Sequence, residues 1–352
     1  MRKADEKFRG RGVTSNPANR FASTTSERFE DYDPSQDPAL RTQFIPDASV
    51  SLITYNDSPD IPFTASLNVY RGCEHGCAYC YARPYHEYLG FSSGLDFETK
   101  IVVKYQAPEL LRQELTSPKW KPQALAMSGV TDCYQPAERK LQLTRRVLEV
   151  LLEFRNPVGI VTKNHLVTRD VDLLAQLAKF NAAMVYLSIT TLDAELTPKL
   201  EPRASLPKLR LAAIQTLREA GVPVGVLLAP MIPGLNDHEL PKILEAAAAA
   251  GAQSAGMIPL RLPFAVKDIF SDWLARHFPD RKDNVLNRIR SLRGGRLNQA
   301  EFGARMRGQG IWAEQLRRMF DIAARKAGLN QRDAELSTAH FRRPGGAQLA
   351  LL

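Results

Sequence analysis

Three cysteines stand within eight residues, in Arg71-Gly-Cys73-Glu-His-Gly-Cys77-Ala-Tyr-Cys80-Tyr-Ala-Arg83, at the spacing Cys-x3-Cys-x2-Cys. Thiols this dense form a metal pattern rather than a disulfide one. Four cysteines in 352 residues are also too few for a disulfide scaffold. A structural zinc site wants four protein ligands, and no further Cys or His is spaced as a knuckle partner. His75 lies between two thiolates, where joint ligation of one metal is awkward, so it reads as a loop residue or as a hydrogen-bond donor beside the site. A compact loop of three thiolates suits three irons of a four-iron cubane, a [4Fe-4S] cluster. Gly72 and Gly76 allow the loop to turn tightly. The fourth iron is then open. It can chelate the amino and carboxylate groups of S-adenosylmethionine, and the reduced cluster can cleave the S–C5′ bond. The 5′-deoxyadenosyl radical so formed takes a hydrogen from a substrate, the hard chemistry belonging to the cofactor.

A loop of this kind needs a rigid frame. Short aliphatic runs alternate with helical patterns from about residue 66. Strands are expected over 67–70, 124–128, 158–162, 183–189, 224–228 and 254–258. Between them lie helices over about 138–154, 170–179, 208–220 and 238–250. Gly221 marks the end of one helix, with Pro223 just beyond. Apolar strands separated by helices imply parallel βαβ units. Six in a row give an α/β fold, an open or partial (β/α)6 barrel, with the chemistry at the C-terminal ends of its strands. Lys163 directly follows the third strand and so faces that end, although a solvated lysine is the plain alternative. Residues 1–60 are polar and without period, and read as an irregular N-terminal arm. The core barrel covers 61–262. Beyond it, 263–352 form a mainly helical C-terminal extension, with helices over about 265–277, 281–292 and 311–327.

The net charge is +9. From Arg276 onward 16 Lys and Arg face 7 Asp and Glu, so the whole excess lies in the C-terminal extension. Such asymmetry suggests a polyanionic partner, DNA or RNA, against the alternative of a solvated surface. Arg288, Arg290, Arg293 and Arg296 cluster there, spacings such as Arg290-x2-Arg293 would put guanidinium groups on one helical face, and Phe302 and Trp312 could stack on bases. No apolar run approaches the ~20 residues of a membrane helix. The charged N-terminus lacks an apolar signal core, and the cytoplasm is the expected location.

The cysteine loop after a first strand, followed by six βα units, resembles the radical SAM superfamily over about residues 60–262. Finer similarities point to its spore photoproduct lyase-like, or DNA repair photolyase-like, branch. They are Tyr70 to Arg83, Val130-Thr-Asp-Cys-Tyr-Gln-Pro-Ala-Glu138, Val161-Thr-Lys163, Leu187-Ser188, Glu201-Pro-Arg203 and Ala229-Pro-Met-Ile-Pro-Gly-Leu-Asn-Asp237. The segment Arg9-Gly-Arg-Gly-Val-Thr-Ser-Asn-Pro-Ala-Asn-Arg-Phe21 is similar to a bacterial subgroup of that branch.

The resemblance implies site roles. Tyr79 would contact the adenine end of the cofactor. Ser128 and Gly129 occupy the place of a Gly-Gly-Glu motif that receives the methionyl ammonium. No glutamate stands there, which leaves Asp132 as a substitute acceptor. Lys163 would pair with the cofactor carboxylate, and Ser188 would lie near the ribose and carboxylate. Arg203 would clamp a carboxylate, unless Glu201 holds it in a structural pair. Tyr81 matches a tyrosine of the lyase's radical-return path, and Cys133 lies in the region of a hydrogen-donating cysteine. Aligned through Thr131-Asp132, however, that cysteine falls near Gly129, and Cys133 also reads as a small buried hydrophobe. The implied reductant is of flavodoxin or ferredoxin type. The resulting expectation is a lyase-like or repair-like radical SAM enzyme acting on nucleic acid. The alternatives are one acting on a peptide or small metabolite, and a non-catalytic iron–sulfur regulatory protein.

Overall fold

The computed structural model describes residues 8–23, 40–331 and 335–344. Its strands are β1 (Gln43–Pro46), β2 (Ile53–Tyr55), β3 (Ala65–Leu67), β4 (Tyr70–Arg71), β5 (Lys100–Val103), β6 (Leu125–Met127), β7 (Val158–Thr162), β8 (Ala183–Ser188), β9 (Val224–Met231) and β10 (Ser254–Pro259). The main sheet runs β10-β9-β8-β7-β6-β3-β2. Its first six members are mutually parallel, and β2 is antiparallel at the edge. This is the expected six-stranded partial barrel. In β7 the residues Val158, Ile160 and Thr162 are fully buried while Gly159 and Val161 are half-buried. The period of two therefore separates a face under the helices from the inner face of the barrel. The Leu143–Phe154 helix packs with Leu143, Val147, Leu148, Leu151 and Phe154 inward, the spacing of a one-sided apolar stripe.

Two expected elements differ. The first strand spans 65–67 rather than 67–70, and Tyr70–Arg71 belongs to a separate sheet of order β1-β5-β4. Asn68 makes the break, because its side-chain carbonyl accepts from the backbone N–H of Val130 (3.1 Å) and Thr131 (3.4 Å). The helix expected over 138–154 is split at Gln142, whose φ is +50°. Buried Glu138 causes the restart: its carboxylate accepts from the Thr144 N–H at 3.1 Å, capping the second helix. The N-terminal arm is irregular over the described residues 8–23, but it also supplies β1 and β2.

The helices of the extension, Val266–His277, Lys282–Leu292 and Gly310–Lys326, fall where expected. Val266–His277 and Lys282–Leu292 share a second apolar cluster with Cys77 and Tyr79 of the cysteine loop, and Gly310–Lys326 packs on the Leu240–Ala249 helix. The open side lies between edge strands β10 and β2, and the chain around the short Ala304–Arg307 helix spans it. Asp60, in the β2–β3 connection, accepts from the Gly303 N–H at 2.6 Å and from Arg305 Nε at 2.5 Å. Residues 335–344 cross the N-terminal ends of the strands, where Arg343 donates to the carbonyls of Ser117 and Trp120. Among the described residues no helix is long and apolar enough to cross a membrane.

This closure corrects the reading of one basic residue. Arg293 is 1% exposed and donates to the carbonyls of Pro259, Leu260, Ala304 and Arg305. It is a structural bolt, not part of an exposed phosphate stripe, and burial lowers its pKa to about 10. Arg293→Ala leaves those carbonyls without a donor, at about 1–3 kcal/mol for each that water does not reach. The denaturant midpoint should fall clearly, whereas exposed Arg296→Ala should stay within about 0.5 kcal/mol of the parent. Equal midpoints for the two variants would contradict the assignment.

Candidate active site at the cysteine loop

The loop leaves β3 and β4 with three free thiols, Cys73 and Cys77 buried and Cys80 half-buried. Gly72 (φ +83°) and Gly76 (φ +69°) occupy left-handed backbone, as their positions suggested. A Cβ on Gly76 would lie 2.8 Å from a Glu98 carboxylate oxygen, and one on Gly72 would lie 2.9 Å from the Phe97 carbonyl. Gln135 braces both sides of Cys73: its Nε2 donates to the Gly72 carbonyl (3.1 Å), and its Oε1 accepts from the Glu74 N–H (2.9 Å). Arg83 Nε donates to the Cys77 carbonyl at 3.0 Å, and its guanidinium pairs with Glu98 at full burial.

The N-terminal segment closes over this loop. The Gly12 N–H donates to Glu98 Oε2 at 3.0 Å, and a Cβ on Gly12 would lie 1.6 Å from the Gly76 carbonyl oxygen. Only glycine permits that approach. Arg11 donates to the carbonyls of Glu98 and Leu40, and Asn19 to those of Glu87 and Phe91. The Arg-Gly-Arg-Gly segment is therefore a strap on the cysteine loop.

His75 and Asp132 tie the loop to the strand ends. Asp132 Oδ2 lies 3.3 Å from His75 Nδ1 and accepts from the Lys163 N–H (2.8 Å), while Oδ1 accepts from Thr162 Oγ1 (2.7 Å). His75 Nε2 lies 3.3 Å from Asn164 Nδ2. Read as an acceptor there, His75 carries its proton on Nδ1, facing Asp132. Burial alone would raise the Asp132 pKa, but His75 and the hydrogen bonds from His75, Lys163 and Thr162 hold it at about 2. With its carboxylate so engaged, Asp132 is a clamp and not a free ammonium acceptor.

The remaining residues divide into two groups. Tyr79, Tyr81, Ser128, Gly129 and Lys163 gather around the loop. The Lys163 ammonium lies 6.0 Å from the Tyr79 ring centroid and makes no hydrogen bond or ion pair with the described residues. The Tyr79 hydroxyl donates to Glu201. Tyr81 donates to the Gly129 carbonyl at 2.6 Å. Ser128 holds a φ of +78°, and its hydroxyl accepts from the Cys133 N–H at 3.0 Å. Ser188 and Cys133 are turned into the protein. Ser188 is 1% exposed and donates to the Ala229 carbonyl at 3.1 Å. Cys133 is 2% exposed in the main core, with Tyr70, Met127 and Val147.

Glu201 does not hold Arg203. It pairs with buried Arg210 and accepts from Thr190 and Tyr79. Burial would raise the Glu201 pKa, but Arg210 and then Lys163 hold it at about 2. Arg203 instead pairs with Glu74 at 2.9 Å, on the rim of the loop. Gln135, Glu98, Arg83 and Arg210 escaped the sequence reading, because nothing local marks a long-range brace.

The donor set fits an iron–sulfur cluster. Soft thiolates favour such clusters, and burial pushes all three thiols above their ordinary range, so the thiolate form needs a cation beside it. Among the described residues no three Cys, His, Asp or Glu side chains converge on a single-ion site.

The chain belongs to the Radical SAM superfamily, whose family model matches residues 67–247. It is a radical SAM enzyme. An uncharacterised protein of Mycobacterium tuberculosis strain H37Rv is 38% identical over 234 residues, 66% of this chain and 68% of its relative. An uncharacterised protein of Methanocaldococcus jannaschii is 33% identical over 173 residues, 49% of this chain and 62% of that protein. Among solved structures, spore photoproduct lyase complexed with dinucleoside spore photoproduct superposes with a TM-score of 0.59. It is 15% identical and covers 81% of this chain and 80% of its own, a likeness of fold.

Proposed function

We propose that Cys73, Cys77 and Cys80 hold a [4Fe-4S] cluster with one open iron, and that the chain uses it with S-adenosylmethionine to abstract hydrogen from a nucleic acid substrate. Bound together, cluster and cofactor supply reductive cleavage and the 5′-deoxyadenosyl radical. The observation that carries the reading is three free thiols on a doubly braced loop, with the unpaired Lys163 ammonium beside it. Lys163 binds the cofactor carboxylate. The backbone at Tyr79 meets the adenine, with the ring fixed through Glu201. Ser128 and Gly129 offer backbone groups to the methionyl ammonium, Ser188 supports the ribose side from behind, and Arg203 with Glu74 borders the loop. Tyr81, on the open side, is the better placed of the two radical-return candidates, and Cys133 serves packing.

The nucleic acid reading draws on the basic C-terminal extension. Phe302 and Trp312 are exposed, with arginine guanidiniums 4.5 Å and 5.3 Å from their rings. Such stacks accept bases in sequence-tolerant fashion. The fold likeness to an enzyme solved with a dinucleoside photoproduct points the same way. A flavodoxin- or ferredoxin-type protein of the cytoplasm serves as electron donor.

Lys163→Ala tests the cofactor site. Iron content should be unchanged, while S-adenosylmethionine binding weakens about ten- to a hundred-fold, since a charge-assisted contact is worth about 1.5–3 kcal/mol. An unaltered dissociation constant by calorimetry would make Lys163 a surface residue.

A further inference from the structure

Arg261 lies just past the end of β10, at the C-terminal rim of the barrel. Its guanidinium carbon is 5.4 Å from the ring centroid of Tyr81, the residue after the third cysteine. Tyr81 in turn bonds the Gly129 carbonyl beyond β6, so Arg261 sits across the mouth above the cysteine loop. Its Nε is buried without a hydrogen-bond partner. One terminal nitrogen donates to the Met306 thioether at 3.1 Å, a weak acceptor. Arg261 makes no ion pair with any described residue. The nearby carboxylate, Asp60, is taken by Arg305, while Arg293 behind it gives its terminal nitrogens to four backbone carbonyls and, like Arg261, keeps a buried Nε without a partner. A half-buried guanidinium with an idle N–H is costly unless an anion completes it. Tyr81 and Tyr85, 43% and 54% exposed, offer flat apolar faces beside it.

We propose that Arg261 binds a phosphate of the substrate at the barrel mouth while an adjacent base stacks on the exposed tyrosines. The proposal rests on the nucleic acid reading above and names its point of contact. A guanidinium fork matches a phosphate through two parallel N–H bonds. The ligand is a nucleoside phosphate, either free or within a single strand.

The test uses anisotropy of a fluorescent octathymidylate on the reconstituted protein at low salt. Arg261→Gln should weaken binding about tenfold or more, at unchanged melting temperature and iron content, as for loss of one arginine fork. Arg261→Lys keeps the charge but loses the fork and should bind about threefold or more weaker than the parent. It decides the matter if the glutamine variant fails to fold. Thymidine monophosphate should compete and thymidine should not. Competition near the strand's own affinity identifies a free nucleotide as ligand, and much weaker competition identifies a strand. Undiminished binding by the variants, or equal competition by thymidine, overturns the Arg261 site and leaves the nucleic acid reading standing. No binding by the parent overturns both.

Discussion

Replacing Cys73, Cys77 or Cys80 singly by alanine should remove the broad visible absorption of the reconstituted protein and reduce bound iron to background. In the proposed cluster each thiolate would hold one iron, and the fourth cysteine, Cys133, lies in the main core. Cys133→Ala behaves differently. Cys133 lies in the main core, bonded through its backbone to Ser128 and Thr144. Its loss trims a buried side chain and costs about 1 kcal/mol, with iron content unchanged. Full iron in Cys77→Ala would remove that residue from the ligand set. Lost iron in the folded Cys133 variant would make it a fourth ligand and leave no iron open.

The second large effect lies beneath the loop. Glu98→Ala strips a fully buried partner from Arg83, itself fully buried. It also removes the acceptor of the Gly12 N–H that fastens the strap. Breaking a buried ion pair from one side costs about 3–5 kcal/mol, because the remaining charge stays unpaired in the interior. For a chain of this size that corresponds to a melting temperature lower by about 4–7 °C. Iron retention should fall with it, since Arg83 also holds the Cys77 carbonyl. The double substitution Arg83→Met with Glu98→Met removes both charges and should recover part of the loss. A Glu98→Ala protein melting within about 2 °C of the parent would show that the pair contributes little.

Where physics is local, the sequence is readable. The thiol spacing, the glycines at Gly72 and Gly76 and the strand ends at Lys163 and Ser188 follow from turn chemistry and period. All of these features lie where their residues suggest. The braces are not readable in this way. Gly12 meets Gly76 across a wide stretch of sequence, and its need for glycine arises only in that contact. Glu98 and Gln135 look like ordinary polar residues until the loop folds onto them. Charge misleads in the extension, where Arg293 has the composition of a surface and the burial of a core. Glu201 stands beside Arg203 in sequence, yet it pairs with Arg210 one helix turn into the following Pro207–Glu219 helix. Side-chain direction, not separation along the chain, selects the partner.

The most direct test of the account is product analysis after anaerobic reconstitution with iron and sulfide, followed by S-adenosylmethionine and a strong reductant. The account predicts 5′-deoxyadenosine from the parent protein, none from Cys77→Ala, and undiminished formation from Cys133→Ala. With DNA or RNA present, formation should rise. A fully loaded, reduced protein that binds S-adenosylmethionine yet yields no 5′-deoxyadenosine, with or without nucleic acid, would contradict the claim that this cysteine loop carries radical chemistry.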